Sequence, residues 1–130
     1  MRIGIFGLDN AGKTTTTKAI LGGMFCTFLI IFCQLEIFIF TESLDTVVPT
    51  VGFSSFQKKI DQYDVTFLDL GGGKRVRDIW KHYLAEIFGV IFVIDSTEKE
   101  RLSECKEELS KLLSDPRIQG KPILVYVRLP

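Results

Sequence analysis

The sequence predicts an α/β domain with a mostly parallel sheet, on three observations. Runs such as GVIFVI at 89–94 are apolar at consecutive positions, as in strands buried on both faces. Such runs alternate with segments of helical periodicity. A glycine-rich loop, GLDNAGKT at 7–14, joins the first apolar run to the first helical one. At 130 residues the chain has room for one domain with a modest core.

The elements follow in order. Arg2–Phe6 reads as a buried strand ending at Gly7. Residues 12–21 read as a helix, despite the β-branched run Thr14–Thr17, and Gly22-Gly23 stops it. Residues 24–40, MFCTFLIIFCQLEIFIF, are apolar apart from Thr27, Gln34 and Glu36. A membrane span needs about 20 residues and basic flanks, so a buried helix or strand is the preferred reading of this run. Residues 41–48 read as a polar loop, and 51–60 and 62–68 as two strands turning at Asp61-Gln62. Residues 74–86 are predicted helical, with Val76, Ile79, Trp80 and Tyr83 on one face. After the strand at 89–94, Thr97 and Glu100 form a capping-box pattern. The helix behind it carries Leu102, Cys105, Leu109, Leu112 and Leu113 and ends at Asp115-Pro116. Residues 121–127 are the last strand. His82 is expected at the surface, Trp80 in the core, and the charges from Glu104 to Lys111 on a solvated helix face.

Composition narrows the partners. Sixteen basic residues balance sixteen acidic ones, which argues against a nucleic-acid-binding surface. Three cysteines without a CxxC pair fit a reducing, intracellular and cytoplasmic setting. One histidine argues against a Cys/His zinc site. Met1 leads straight into a short strand, with no secretory signal before it.

The strongest chemical signal is the loop itself. GLDNAGKT satisfies G-x-x-x-x-G-K-[ST] in full. Glycines let the backbone curl so that its N–H groups face phosphate oxygens, and the next helix offers its positive end. Lys13 would bridge the terminal phosphates, and the Thr14 hydroxyl would coordinate Mg²⁺. Asp69, at the end of the apolar strand FLDL, stands where a Mg²⁺-facing aspartate is expected. Thr50, in VVPTVGF, can complete the Mg²⁺ shell when a γ-phosphate is present.

GLDNAGKTT, PTVGF, DLGGG and YLAEIFGVIFVIDS together resemble the ADP-ribosylation-factor-like (Arf family) small GTPases, over residues 2–23 and 43–125. DLGGGKRVRDIW is most similar to the ADP-ribosylation factor-like protein 13B subgroup, GTPases of the cilium. The resemblance implies a small-GTPase fold of the P-loop class, cycling between GTP and GDP with Mg²⁺. It implies a nucleotide on Asp9, Asn10, Ala11, Gly12, Lys13, Thr14 and Thr15, with Mg²⁺ held by Thr14, Thr50 and, through a water, Asp69. The Gly72 N–H would meet the γ-phosphate, so that Thr50 and Gly72 belong to two switch segments. Partners would be another Arf-like GTPase or an effector at the switch regions, and the place of action the cytoplasm or the cilium. No catalytic side chain is assigned. Family members carry a water-orienting glutamine after the double glycine, and here that residue is Gly73, which implies slow hydrolysis.

The sequence departs from the family in four places. The Asn-Lys-x-Asp motif that reads guanine is absent, and Arg128 and Leu129 stand where its asparagine and lysine would be. Residues 1–130 therefore read as an incomplete GTPase domain whose last strand is an uncovered sheet edge. Thr14 and Thr50 lie 36 positions apart, roughly double the family spacing, because of an apolar insertion at about 24–42. The family's N-terminal extension, which carries palmitoylation cysteines in the look-alike subgroup, is not encoded, so membrane attachment would rest on the insertion or be lost. Irregular splicing or gene assembly is the preferred origin of insert and tail. The rival reading is accordingly a phosphate-binding remnant or unstable fragment without guanine specificity.

Overall fold

A computed structural model of the chain describes residues 1–9, 11–13, 16 and 53–128. The apolar insertion at 24–42, with Asn10, Thr14, Thr15 and Thr50, lies outside the described residues. The described strands are β1 (Arg2–Phe6), β2 (Phe53–Ile60), β3 (Tyr63–Leu70), β4 (Gly89–Asp95) and β5 (Ile123–Arg128). They form one sheet in the order β2-β3-β1-β4-β5. β1 runs parallel to both β3 and β4, and β4 parallel to β5; only the β2–β3 hairpin is antiparallel. The mostly parallel α/β sheet expected from the apolar runs is therefore present.

The period of two in β1 explains its central place. Ile3 and Ile5 point to one face, where they meet Val65, Phe67, Ile91, Val93 and Tyr126. Phe6 points to the other and packs with Leu68, Leu70, Trp80, Phe92, Cys105 and Leu112. Phe6, Phe67 and Phe92 are fully buried, each contributing about 2 kcal/mol of hydrophobic stabilisation. On the Phe6 face lie a one-turn helix, α1 (Trp80–Tyr83), and α2 (Leu102–Ser114). Because the four parallel strands point the same way, β1, β3, β4 and β5 all end at one edge of the sheet, where open α/β sheets hold ligands.

The helix expected at 74–86 is much shorter. Residues 74–76 form a turn, Arg77–Ile79 a 3₁₀ turn, and only Trp80–Tyr83 is α-helical. The cause is local: the Trp80 indole N–H donates to the Gly71 carbonyl at 2.9 Å and Arg77 Nε to the Gly72 carbonyl at 2.7 Å. Both side chains fold the segment back onto the glycine turn instead of letting it extend. Trp80 is core as expected, edge-on to Phe6 with ring centroids 5.2 Å apart, and His82 is exposed. The capping box does not form: Glu98 precedes the 3₁₀ turn Lys99–Arg101 without a side-chain cap. Thr97 instead gives both its N–H and its hydroxyl to Asp95 Oδ1, at 2.9 and 2.6 Å.

Candidate functional site

The loop after β1 lies at the carboxyl edge of the sheet, between the ends of β3 and β4. Of the residues expected to hold the ligand, Asp9, Ala11, Gly12 and Lys13 of this loop are described, and Asn10, Thr14 and Thr15, with Thr50 before β2, are not. Lys13 is buried under the loop and donates to the Leu8 carbonyl at 2.7 Å, which holds the loop closed around its ammonium. Burial pushes its pKa down from 10.5 to about 8, against the opposing pull of Asp69 and Asp9. Thr16 closes the loop's far side: its N–H and its hydroxyl both bond the Gly12 carbonyl, each at 2.8 Å.

Asp69 is fully buried near the end of β3, in register with Ile5 of β1 and close enough to act on the charge of Lys13. Four residues therefore converge from three segments: Asp69 from β3, Lys13 and Asp9 from the loop, and Gly72 from the turn. Gly72 has a backbone role. A Cβ there would collide with Gly7 O and with the Leu8 and Asp9 backbone, so only glycine lets the turn lie against the loop. Gly73 differs: a Cβ there would meet only Val76 Cγ2, at 3.7 Å, an ordinary contact. Packing does not exclude a side chain at 73. A buried carboxylate beside a lysine-bearing glycine loop is the donor set for a hard divalent cation with phosphate oxygens. Asp69 would hold that cation and Lys13 would neutralise the phosphates it bridges.

Two arginines that sequence reasoning passed over organise this edge. Arg77, buried, pairs with Glu104 at 2.6 Å and lies 3.6 Å from Glu108 and 3.7 Å from Asp9. Arg101 donates to the Asp9 carboxylate at 2.7 Å and to its carbonyl at 3.2 Å, and also to Glu104 at 3.2 Å. Burial alone would raise the Asp9 pKa, but the hydrogen bond and charge of Arg101 outweigh it and hold the carboxyl below its ordinary value. Glu104 is likewise held low, by Arg77 first and Arg101 second. So Glu104 and Glu108 are not simply a solvated helix face; they anchor the loop and the glycine turn to α2. No local spacing could have shown this, because Arg77 and Glu104 are 27 residues apart. Behind the loop, a cavity of about 10 Å³ lies between Leu8, Val93, Arg101 and Cys105, room for about one water. Burial raises the Cys105 thiol, which makes it a poor nucleophile.

Among the described residues, no group of three or more metal-ligating side chains stands together, and no helix is long and apolar enough to cross a membrane.

Comparison with known proteins gives this arrangement its family. Residues 35–128 match the ADP-ribosylation factor family. The chain is 35% identical over 125 residues to ADP-ribosylation factor-like protein 3 of Chlamydomonas reinhardtii, covering 96% of this chain and 60% of that protein. It is 36% identical over 126 residues to ADP-ribosylation factor-like protein 2 of Dictyostelium discoideum, covering 97% of this chain and 58% of that one. Against ADP-ribosylation factor-like protein 13B of Chlamydomonas reinhardtii the identity is 34%, over 95% of this chain and 20% of that protein. The chain thus spans about 60% of the length of the first two relatives. Among solved structures, the Arl6 (BBS3) small GTPase of Trypanosoma brucei, bound to the nucleotide analogue GppNp, superposes with a TM-score of 0.68 at 26% identity, over 96% of this chain and 64% of that one. The mammalian SRP receptor superposes at 0.71 with 18% identity, a likeness of fold. The strand order, the lysine-bearing loop and the match over residues 35–128 together place the chain in the ADP-ribosylation factor family of small GTPases.

Proposed function

We propose that the chain binds a Mg²⁺–guanine nucleotide through the loop at 7–14 and acts as a GTP-held switch. The observation that carries this reading is Lys13, buried under the loop and facing Asp69, with the Gly72 backbone laid against the same loop. A site so arranged meets phosphate with a cation already desolvated, and its Gly72 turn would feel whether a terminal phosphate is present. The solved Arl6 relative with its bound GppNp supports the nucleotide class. Hydrolysis is slow in this proposal because Gly73 has no side chain with which to orient water. The partner face is the segment after the glycine turn, where Lys74, Arg75, Asp78, Lys81 and His82 are exposed. It would meet another Arf-like GTPase or an effector. A role in ciliary or membrane traffic follows the likeness to the 13B relative.

A second reading is a site that holds phosphates without telling guanine from adenine. Arg128 and Leu129, where the family has the asparagine and lysine of its guanine-reading motif, favour it. A titration of the purified chain with a fluorescent GTP analogue in Mg²⁺, with ATP as competitor, separates the two. Binding that resists excess ATP supports the switch; equal displacement supports the remnant. Lys13→Ala is expected to weaken binding about a hundredfold or more, since it removes a buried charge-assisted contact. Unchanged affinity in that variant would overturn both readings.

A further inference from the structure

Trp80, the chain's single tryptophan, is held in a fixed plane in the core. Its ring stands edge-on to Phe6, with centroids 5.2 Å apart, and edge-on to Phe92, with centroids 6.5 Å apart. Both phenylalanines are fully buried, Phe6 at the end of β1 and Phe92 within β4. The indole N–H therefore has one direction, and it donates to the Gly71 carbonyl at 2.9 Å. The peptide unit that carries this carbonyl also carries the Gly72 N–H. In a trans, planar unit the two point opposite ways. Drawing the oxygen to the indole thus turns the Gly72 N–H away from it. The next unit is held as well: Arg77 Nε donates to the Gly72 carbonyl at 2.7 Å, and Arg77 is anchored on Glu104 at 2.6 Å. Gly72 itself stands against Gly7, Leu8 and Asp9 with no room for a Cβ.

Resting on the nucleotide reading above, the geometry points to Trp80 as a positioning residue for the terminal phosphate. Its indole presets the direction of the Gly72 N–H, the group that would meet that phosphate, before a ligand arrives. A buried indole N–H needs an acceptor, and many carbonyls would serve. This one belongs to a peptide between two glycines, Gly71 and Gly72, where the backbone is freest to rotate. Its direction must therefore come from a bond made by another part of the chain. A donor fixed in advance needs no reorganisation when charge arrives. Without the indole N–H, a triphosphate must select the competent orientation from several, and its affinity falls by the fraction that is competent. A nucleoside diphosphate brings no terminal phosphate to Gly72 and does not feel the change.

Replacing the indole N–H by sulfur tests this with little change of shape. Because the chain has one tryptophan, supplying 3-benzothienylalanine to a tryptophan auxotroph alters position 80 alone. Calorimetric titrations with GTPγS and with GDP, both in Mg²⁺, then compare this protein with the parent. GTPγS affinity is expected to fall by about 3- to 10-fold, the worth of one neutral hydrogen bond. GDP affinity should stay within about twofold, less than that bond is worth. Trp80→Phe, which keeps an aromatic ring and loses the donor, should show the same split. Protein carrying 5-fluorotryptophan, which keeps the N–H, should bind both ligands as the parent does. Equal weakening of both ligands would make Trp80 a support of the fold and overturn the assignment. An unchanged ratio in the benzothienyl protein would overturn it too, while leaving the nucleotide reading standing. If the parent binds neither nucleotide nor inorganic triphosphate, the nucleotide reading itself fails, and the assignment with it.

Discussion

Gly72 and Gly73 are adjacent and face opposite constraints. Gly72 cannot take a Cβ without pushing the loop after β1 aside, while Gly73 can take one in ordinary contact with Val76. The turn geometry therefore explains the first glycine and not the second. Gly73→Gln should fold as the parent does and raise single-turnover GTP hydrolysis by at least about tenfold, by restoring a group that positions water. Equal turnover in parent and variant would overturn the proposal that Gly73 makes hydrolysis slow. Lys13 makes a second prediction at this scale. Its pKa of about 8 lies below its unfolded value of 10.5, so ligand-free stability rises with pH between those values as the buried charge is relieved. Bound phosphate favours the charged form and keeps the proton to higher pH. Nucleotide affinity should thus be level below pH 7 and fall by up to about tenfold per unit above about pH 8. Titrations from pH 6 to 9.5 check this, and a profile flat across pH 8 would count against Lys13 as the phosphate contact.

At the scale of elements, α2 is tied to the site by charge as much as by its apolar stripe. Cys105 and Leu112 are buried beneath it, but Leu102 and Leu113 are 41% and 48% exposed. Glu104 and Glu108, on the next face, grip Arg77, and Arg77 grips the Gly72 carbonyl. Arg77→Gln should cost about 2–3 kcal/mol in urea unfolding, below the range for a fully buried pair because both glutamates are partly solvated. Arg77→Lys should recover little of that, since one ammonium cannot serve Gly72 and Glu104 together. A loss under 0.5 kcal/mol, at the level of an ordinary surface substitution, would show that the tie is ornamental. The same element shows where the sequence could mislead. The face Val76, Ile79, Trp80, Tyr83 has helical spacing, and Trp80 is indeed core, yet hydrogen bonds to Gly71 and Gly72 shorten the helix to one turn. Periodicity reports which face is apolar; it does not report a backbone carbonyl waiting nine residues back.

For the whole molecule, the sheet was legible almost throughout. β1 was bounded correctly, and the β2–β3 turn at Asp61-Gln62 and the buried run of β4 lie where apolar patterning placed them. Those signals are local, and strands buried on both faces carry them strongly. The loop at 7–14 was legible as a candidate site because the chemistry it would serve demands a fixed spacing. The arginine network was not, since it joins residues that only the fold brings together. That order also dictates when the site can exist. β1 pairs with β3 and β4 and with no strand between them in sequence, its register partners being Thr66–Asp69 and Gly89–Phe92. During synthesis β1 precedes both of its neighbours, so it has no hydrogen-bonded strand beside it until β3 has emerged, and none on its other side until β4 has. Such distant pairing closes late and slowly. A nascent chain must therefore carry the loop after β1, with Lys13 still in water, until β4 is made. Burial of Lys13 thus waits on the closing of the sheet and is a late event of folding rather than an early one.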